Sequence, residues 1–320
     1  MIENNAVRIK VMGVGGGGCN AVNRAIETQV SNIEFWAVDT DAQALENAHA
    51  PHKLQIGQKI TRVGAGENPT IGQKAAEESR DELARTLENT DLVFITGGMG
   101  GGTGTGAAPI VAEVAKDLGC LTVGVVTRPF EFEGRHRTKQ AKKGIEAFRS
   151  RVDSLIVIPN NGLLAYIPSE TPVQKAFAFA DDFLSQGIQG ISDIITITGL
   201  INVDLTDVKN IMADAGSVLI GIGLGTGKDR VREATDAVLS SLSLEASING
   251  AKGLIINITG GSDLTLHEVN AATDSIYEIA DQNAKIIFGA VIDESMSEEM
   301  KITVIATIEE TVGISDLEEH

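Results

Sequence analysis

Cysteine, aromatic residues and long apolar runs are scarce in this sequence, and each scarcity excludes a class of protein. Cys19 and Cys120 are its only cysteines, too few for a disulfide framework or a cysteine-ligated metal, which indicates a reducing compartment. No apolar run approaches the ~20 residues of a membrane-spanning helix. Only a few polar residues precede the first predicted strand, so we expect no secretory signal peptide.

Basic residues are also few, because 26 Lys and Arg stand against 44 Asp and Glu, giving a net charge of −18. Binding to the backbone of DNA or RNA requires a basic surface, so we expect no nucleic-acid partner. A free nucleotide remains compatible with this charge, since backbone amides and a metal ion can hold its phosphates. The 320 residues are enough for two domains with a substantial core.

Glycine, by contrast, is abundant, and seven of the ten residues at 97–106 are glycine. This stretch follows an apolar run at 92–95 and precedes a segment with the pattern of a helix. Glycines at a helix N-terminus let backbone N–H groups approach an anion closely, and Thr103 and Thr105 add hydroxyl donors. A flexible linker is disfavoured, because linkers are seldom held between a buried strand and a helix.

A second glycine segment matches the dinucleotide pattern GxGxxG at Gly13, Gly15 and Gly18, and Asp39 follows about 20 residues later. Alone, this weak motif favours an NAD-dependent oxidoreductase of the Rossmann type. That fingerprint does not require a second, longer glycine loop, however. Two phosphate-binding loops on one sheet favour a triphosphate held from two sides.

The hydrophobic pattern predicts strands alternating with helices, and therefore a parallel sheet that is covered on both faces. Strands are predicted at 7–12, 34–38, 91–96, 121–126 and 155–158, and helices at 19–28 and 70–89. A second α/β unit is predicted beyond residue 199, with strands at 217–224, 253–259, 285–292 and 301–308 and helices to about 213 and at 229–241 and 265–281.

Between the two units, Thr171 and Pro172 predict the N-cap and first position of a helix of about 25 residues. One apolar stripe with helical spacing predicts its buried face. The stripe consists of Val173, Phe177, Ala180, Leu184, Ile188, Ile191 and Ile195.

The sequence resembles the FtsZ branch of the tubulin/FtsZ superfamily from about residue 7 to 310. The resemblance is carried by five motifs: GGGTGTG at 100–106, GGGGCNAVNR at 15–24, PFEFEG at 129–134, NVDLTDV at 202–208 and NITGG at 257–261. It implies a cytoskeletal GTPase that polymerises head to tail and forms the division ring of a bacterium or plastid. The implied location is the cytoplasm at the division site, with the plastid stroma as the alternative.

The resemblance also implies an α/β fold with a parallel-sheet nucleotide-binding domain, a central core helix and a smaller α/β domain. The corresponding boundaries are 1–170 for the GTP-binding domain, 171–198 for the helix, 199–312 for the C-terminal (GTPase-activating) domain and 313–320 for a tail. The expected partner is a second copy of the chain. Membrane tethers and regulators are possible partners, but their usual C-terminal docking peptide is not recognised in the sequence, and no direct membrane insertion is expected.

Carried over position by position, the resemblance places the α- and β-phosphates between two groups of glycine-loop residues and the γ-phosphate beside a third group. The implied ribose contacts are Glu133 and Arg137, although by themselves these two residues are equally typical of a solvated charged pair. The guanine edge would be read by Asn20 and Asp181, with Phe177 stacked on the base and Asn160 as a further contact. The phosphate contacts are Gly16, Gly17, Gly18 and Cys19 on one side, Gly102, Thr103 and Gly104 on the other, and Gly64, Ala65 and Gly66 at the γ-phosphate.

Asp204 and Asp207 have two interpretations. The residues alone favour first-turn acids that are stabilised by a helix dipole. The resemblance instead implies that this loop, with Asn202, enters the nucleotide site of the next subunit and polarises the attacking water. Hydrolysis would then depend on assembly, since neither subunit alone holds a complete site. A filament protein that binds nucleotide without hydrolysing it is the further alternative.

Three departures from the family pattern lie near the expected γ-phosphate: Asp39 and Glu67 add negative charge, and the segment 62–66 is one residue short. Added negative charge beside an anion weakens nucleotide binding unless a cation bridges the two. The sequence therefore predicts a stronger dependence on Mg²⁺ or on a monovalent cation such as K⁺, without identifying metal-ligating residues. Cys19 is interpreted as a small filler rather than a redox switch.

Overall fold

The computed structural model describes residues 7–27, 32–61, 63–164, 167–197, 199–201, 203–242, 251–278 and 280–308. The chain divides into two compact units, Met1–Thr196 and Ile197–His320. The described residues include no helix long and apolar enough to cross a lipid bilayer. The predicted helix that follows residue 171 belongs to the first unit.

The described part of the first unit is built on six parallel strands in the order β3-β2-β1-β4-β5-β6. Each strand predicted in this part of the chain is present, and the short β3 was not predicted. Residues 92–97 are buried without alternation, which is typical of a strand covered on both faces. The strands are β1 Ile9–Val14, β2 Ile33–Asp39, β3 His52–Gln55, β4 Leu92–Gly98, β5 Leu121–Arg128 and β6 Ser154–Pro159.

Eight α-helices accompany these strands in the described part of the first unit. They are α1 Gly15–Glu27, α2 Ala42–Glu46, α3 Pro69–Glu78, α4 Arg80–Leu87, α5 Thr103–Asp117, α6 Arg135–Arg149, α7 Asn160–Leu163 and α8 Val173–Thr196.

Two helix predictions in the first unit need correction. The single helix predicted at 70–89 is two helices that meet at Ser79, whose ψ of 18° leaves the α-helical range. Its hydroxyl is also engaged outside the helix, since Ser79 Oγ accepts a hydrogen bond from Gly57 N at 3.1 Å. Helix α1 begins at Gly15 rather than at Cys19, so the first glycine segment forms the first turn of the helix.

Helix α8 has 24 residues, close to the predicted length. Ala180, Leu184, Ile188 and Ile191 of the predicted stripe are buried. Its first two members are not, because Val173 is 60% exposed and Phe177 is 37% exposed. The stripe therefore packs in the core over its later turns, and its first turns remain at the surface of the described chain.

Four strands occur among the described residues of the second unit, in the order β7-β10-β8-β9. They are β7 Gly216–Thr226, β8 Ala251–Gly260, β9 Ala280–Ile292 and β10 Glu299–Ile308. β10 is antiparallel to both of its neighbours, whereas β8 and β9 are parallel. The helices are α9 Leu205–Met212, α10 Arg230–Leu242 and α11 Leu266–Tyr277. The helix predicted at 265–281 is shorter than expected, because its last residues already belong to β9.

Candidate nucleotide site

The two glycine segments lie side by side because β1 and β4 are neighbouring parallel strands, with Gly13 paired to Thr96. Strand order reverses at this point, since β1 pairs with β2 on one side and with β4 on the other. In open α/β sheets the crevice beyond such a reversal is where ligands bind. Gly15 of α1 and Thr103 of α5 begin the two helices that open onto it.

Close backbone packing explains why these positions are glycine. A Cβ on Gly18 would lie 2.4 Å from Thr96 O, and a Cβ on Gly15 would lie 2.8 Å from Gly104 N. Gly15 also has a φ of +73°, which disfavours any side chain. The structure thus brings the 16–18 and 102–104 segments together. Gly16 and Gly17 are exposed, while Gly18, Cys19 and residues 102–104 are buried.

The N-terminal turns of α1 and α5 place backbone N–H donors at the crevice. The first N–H groups of an α-helix have no intrahelical acceptor and carry the positive end of the helix dipole. Gly16, in the first turn of α1, is exposed and has open space around its Cβ position. Gly102 N is already used, because it donates to Gly66 O at 2.9 Å.

The third predicted phosphate segment, 64–66, is hydrogen-bonded to the 102–104 segment and to the end of β2. Ala65 N donates to Thr40 Oγ1 at 2.9 Å, and Thr40 Oγ1 lies 2.8 Å from Thr103 Oγ1. Together with the bond from Gly102 to Gly66, this joins the end of β2, the 64–66 segment and the start of α5. Residue 62, the first of the 62–66 segment that is one residue short, lies outside the described residues.

Asp39 and Cys19 lie behind the phosphate loops and are both buried. Asp39 Oδ1 accepts from Thr40 N at 2.7 Å and Asp41 N at 3.3 Å, and burial raises the pKa of this carboxyl above its ordinary value. Burial also raises the pKa of the Cys19 thiol to about 12. A thiol that stays protonated is a poor nucleophile, in keeping with a filler role.

The two predicted ribose contacts pair with each other, since Arg137 Nη1 lies 3.0 Å from Glu133 Oε2. Arg137 also borders the glycine loop, because a Cβ on Gly101 would lie 3.9 Å from Arg137 Nη2. Two buried polar atoms in this area have no hydrogen-bond partner among the described residues: Arg137 Nε and Asn160 Oδ1. Because an unpaired buried polar atom is costly, both atoms suit contacts with a polar ligand.

The predicted base-reading residues lie on two helices that pack together, Asn20 on α1 and Asp181 on α8. An ion pair joins these helices, with Arg24 and Asp182 2.5 Å apart. Burial, and then the neighbouring Asp182, raises the pKa of Asp181 to about 7, while Arg24 acts in the opposite direction. Asp181 is therefore close to the middle of its titration at neutral pH.

Phe177 belongs to an aromatic cluster. Its ring lies edge-on to Phe130 at 5.2 Å and to Phe132 at 6.1 Å between centroids. Phe132 is 64% exposed, whereas Phe130 is buried. The exposed rings offer apolar faces to a base. Phe130 and Phe132 were not assigned a role from the sequence, although the PFEFEG motif contains both.

The predicted catalytic acids lie in the second unit. Asp204 is the N-cap of α9, and its Oδ1 accepts from Asp207 N at 2.9 Å. Asp204 is exposed beside Leu200 and Ile201, which are 73% and 49% exposed. The backbone of this loop is held to β9, since Leu200 N donates to Ala290 O at 2.8 Å. Asn202 lies outside the described residues.

No group of three or more His, Cys, Asp or Glu side chains that could hold a metal ion occurs in the described parts of the chain. Mg²⁺ commonly binds through substrate phosphates, water and one or two carboxylates rather than through a full protein cage.

Comparison with known protein families shows the family to which the chain belongs. Residues 8–168 match the model of the tubulin/FtsZ family, GTPase domain. The chain belongs to the tubulin/FtsZ family. Residues 216–309 match the FtsZ family C-terminal domain. Both matches agree with the resemblance seen in the sequence motifs.

Solved structures of this family superpose closely on the chain. An FtsZ dimer from M. jannaschii is 41% identical, with a TM-score of 0.90, over 96% of this chain and 90% of that one. A tryptophan-to-tyrosine mutant of the same FtsZ is 42% identical, with a TM-score of 0.91, over 96% and 92%. CetZ2 from Haloferax volcanii, solved as a GTPγS-bound protofilament, shares the fold at 16% identity, with a TM-score of 0.81 over 97% and 96%. The predicted tubulin/FtsZ-like fold is thereby confirmed.

Proposed function

We propose that this protein is a GTPase that polymerises head to tail in the cytoplasm and builds the filament of a division ring. The observation that carries the proposal is the convergence of the 16–18, 64–66 and 102–104 segments at the strand reversal between β1 and β4. Three backbone segments around one crevice are suited to a chain of phosphates. Family membership supports guanine as the base.

GTP would bind with its α- and β-phosphates between the first turns of α1 and α5. Its γ-phosphate would lie at the 64–66 segment, whose position is fixed by Thr40 and Gly102. Asn160 and Arg137 would satisfy their unpaired atoms on the nucleoside. An ionised Asp181 would accept from guanine N1–H and its 2-amino group, and Phe177 would cover the base.

Mg²⁺ bound to the phosphates would offset their negative charge, which no lysine of the two glycine loops does. The chain's own contribution at this end is a set of oriented donors. Asp39 lies behind the loops, and burial raises the pKa of its carboxyl above the ordinary value.

Water activation would come from a neighbouring subunit. Asp204 and Asp207 lie at the start of α9, on a loop that exposes two large apolar side chains, Leu200 and Ile201. Exposed apolar residues beside acids suit a subunit contact in which the acids meet the γ-phosphate of the next molecule. A contact between two different faces repeats without closing and produces a filament.

Two other functions predict different behaviour. A dinucleotide oxidoreductase requires the acid after β2 to bind a ribose hydroxyl, but Asp39 is 4% exposed and engaged by the backbone of Thr40 and Asp41. The second of these functions is a filament that binds GTP without hydrolysing it, and measurements of assembly and phosphate release distinguish it.

GTP turnover measured against protein concentration, with light scattering in parallel, separates these cases. We expect specific activity to collapse below the concentration at which scattering appears. Assembly without phosphate release would identify the non-hydrolysing filament, and constant specific activity at all concentrations would contradict catalysis between subunits.

A further inference from the structure

A groove of about 560 Å³ on the first unit is not used by the proposed nucleotide site. It runs between α3 and α6, with α5 as its floor, and it is large enough for several residues of a peptide. Pro109 and Ile110 of α5 and Ala147 of α6 give it an apolar base. Asn68, at the N-cap of α3, forms part of the opposite wall.

The charge of the groove is opposite to that of the chain. Its described lining contains no carboxylate, whereas Lys139 and Lys143 of α6 are both exposed along one wall with His136. Neither lysine forms an ion pair with another described residue. Arg151, at one end, is already bound to Glu113 at 3.1 Å. In a chain with a net charge of −18, an uncompensated basic groove is suited to an anionic ligand.

The arrangement of the positive charges favours a peptide over a compact anion. Lys139 and Lys143 are one helical turn apart, about 6 Å between their Cβ atoms. Carboxylates on alternate residues of an extended peptide are separated by a similar distance, about 6.6 Å. No free backbone N–H of α5 converges on the groove at Gly106, because Gly106 N donates to Gly102 O at 3.0 Å.

The groove also contacts the supports of the glycine loop. Gln140 Nε2 donates to Gly100 O at 3.2 Å, and Thr105 Oγ1 accepts from Gly100 N at 2.8 Å. Both side chains belong to the groove lining. A ligand that contacts them therefore bears on the loop that holds the phosphates.

We propose that this groove binds an extended acidic segment of a partner protein, in which Asp or Glu alternates with small apolar residues, and that binding changes the rate of nucleotide release. Lys139 and Lys143 bind the carboxylates, and the floor at Pro109 and Ala147 accepts the intervening side chains. Peptide binding to the groove does not depend on the proposed function, whereas the effect on nucleotide release rests on it.

The test uses the full chain and an array of fluorescein-labelled octapeptides in which Asp or Glu alternates with Ala, Val or Leu. The reference set replaces each acid with Asn or Gln. We expect saturable binding of the acidic set alone, weakened at least tenfold by the double substitution of Lys139→Glu and Lys143→Glu. The matched control is Lys142→Glu, an exposed α6 residue outside the groove lining, which should leave binding unchanged.

A second variant, Gln73→Trp, fills the groove from α3 without changing its charge and should also abolish binding. Equal loss with Lys142→Glu, undiminished binding by Gln73→Trp, or no binding by any acidic peptide would each overturn the docking site. Displacement of the peptide by tripolyphosphate at equal concentration would show an unspecific anion site and overturn the peptide assignment. Release of a fluorescent GDP analogue should change at least twofold on peptide addition, and an unchanged rate with the peptide bound would overturn the coupling alone.

Discussion

Thr40 Oγ1 and Thr103 Oγ1 lie 2.8 Å apart, and this contact joins the end of β2 to the first turn of α5. Thr40 Oγ1 also accepts from Ala65 N at 2.9 Å. One hydroxyl thus connects two of the three segments that surround the proposed phosphate crevice. Both threonines are buried, so water could not readily replace these hydrogen bonds if a substitution removed them.

Thr40→Val should loosen this crevice. It leaves Ala65 N without its acceptor, and an unsatisfied buried donor costs about 1–3 kcal/mol. We expect the free energy of unfolding to fall by that amount and the KM for GTP to rise. Urea unfolding and steady-state kinetics measure the two effects.

The matched control is Thr90→Val. Thr90 is also buried, but its Oγ1 has no hydrogen-bond partner among the described residues, so this change should be neutral or stabilising. Equal destabilisation by the two substitutions would show that loss of the hydroxyl's bonds is not the cause.

GTP affinity should depend on pH through Asp181, whose pKa burial raises to about 7. Guanine would bind the ionised carboxylate, so affinity is present above pH 7 and is lost as the pH falls through 7. Arg24→Gln removes the cation that lowers this pKa and should move the midpoint of the loss upward. Nucleotide titrations between pH 5.5 and 8.5 measure this midpoint. A loss of GTP affinity at low pH that persists in Asp181→Asn would show that another group is responsible.

Asp39→Asn should stabilise the fold at neutral pH. Burial raises the pKa of Asp39 in the folded state, so its charge opposes folding above the unfolded pKa, and the penalty disappears at acid pH where both states are protonated. Asn keeps an oxygen that accepts from Thr40 N. We expect a higher Tm at pH 7.5 with little change near pH 3, and a reduced Mg²⁺ requirement for turnover.

Glu67→Ala tests the second departure at an exposed position. GTP turnover that is unchanged across Mg²⁺ concentrations in both Asp39→Asn and Glu67→Ala would contradict the predicted cation dependence.

Arg230 should be the main ionic support of the second unit. It is 4% exposed, and it binds Asp263 at 2.6 Å and Glu268 at 2.7 Å, joining α10 to the start of α11. Arg230→Ala removes the guanidinium from both carboxylates, while Glu268 keeps its hydrogen bonds from Thr265 N and Oγ1. We expect a cost of about 2 kcal/mol, less than for a fully buried pair, because the Asp263 side chain is 47% exposed. Its control is Arg232→Ala, since Arg232 is exposed and 3.7 Å from Asp229, and we expect about 0.5 kcal/mol or less.

The same cluster predicts acid sensitivity. The Arg230 guanidinium lowers the pKa of Glu268 to about 2. A lowered pKa in the folded state contributes stability that is complete above the ordinary value of 4.5 and is lost as the pH falls from there towards 2. Urea unfolding at pH 7 and pH 3 should show a smaller difference in Arg230→Ala than in the parent chain; an equal difference would contradict the assignment.

The backbone framework of the site was predictable because glycine and apolar runs are local signals. The presence of β1 and β4, each followed by a glycine segment and a helix, follows from period and composition, although the start of α1 at Gly15 does not. The break at Ser79 was not predictable, because the hydrogen bond that Ser79 Oγ accepts at this point comes from Gly57, 22 positions away.

Side-chain roles that depend on distant partners were the least predictable. Thr40 carries no motif signal by itself, and its role appears only when Ala65 and Thr103 are placed beside it. Lys139 and Lys143 look like an ordinary solvated helix face in sequence, because the opposite wall of their groove comes from α3.

The central claim, that acids of one molecule act on GTP held by the next, is tested most directly by mixing two inactive variants. Asp204→Asn with Asp207→Asn keeps a good N-cap residue on α9 while removing both carboxylates. Gly16→Glu keeps the acids but places a carboxylate in the phosphate crevice, where Gly16 has open space. Each variant alone should be inactive, and equimolar mixing should restore GTP turnover; a mixture as inactive as its components, while both variants remain folded and co-assemble, would contradict the account.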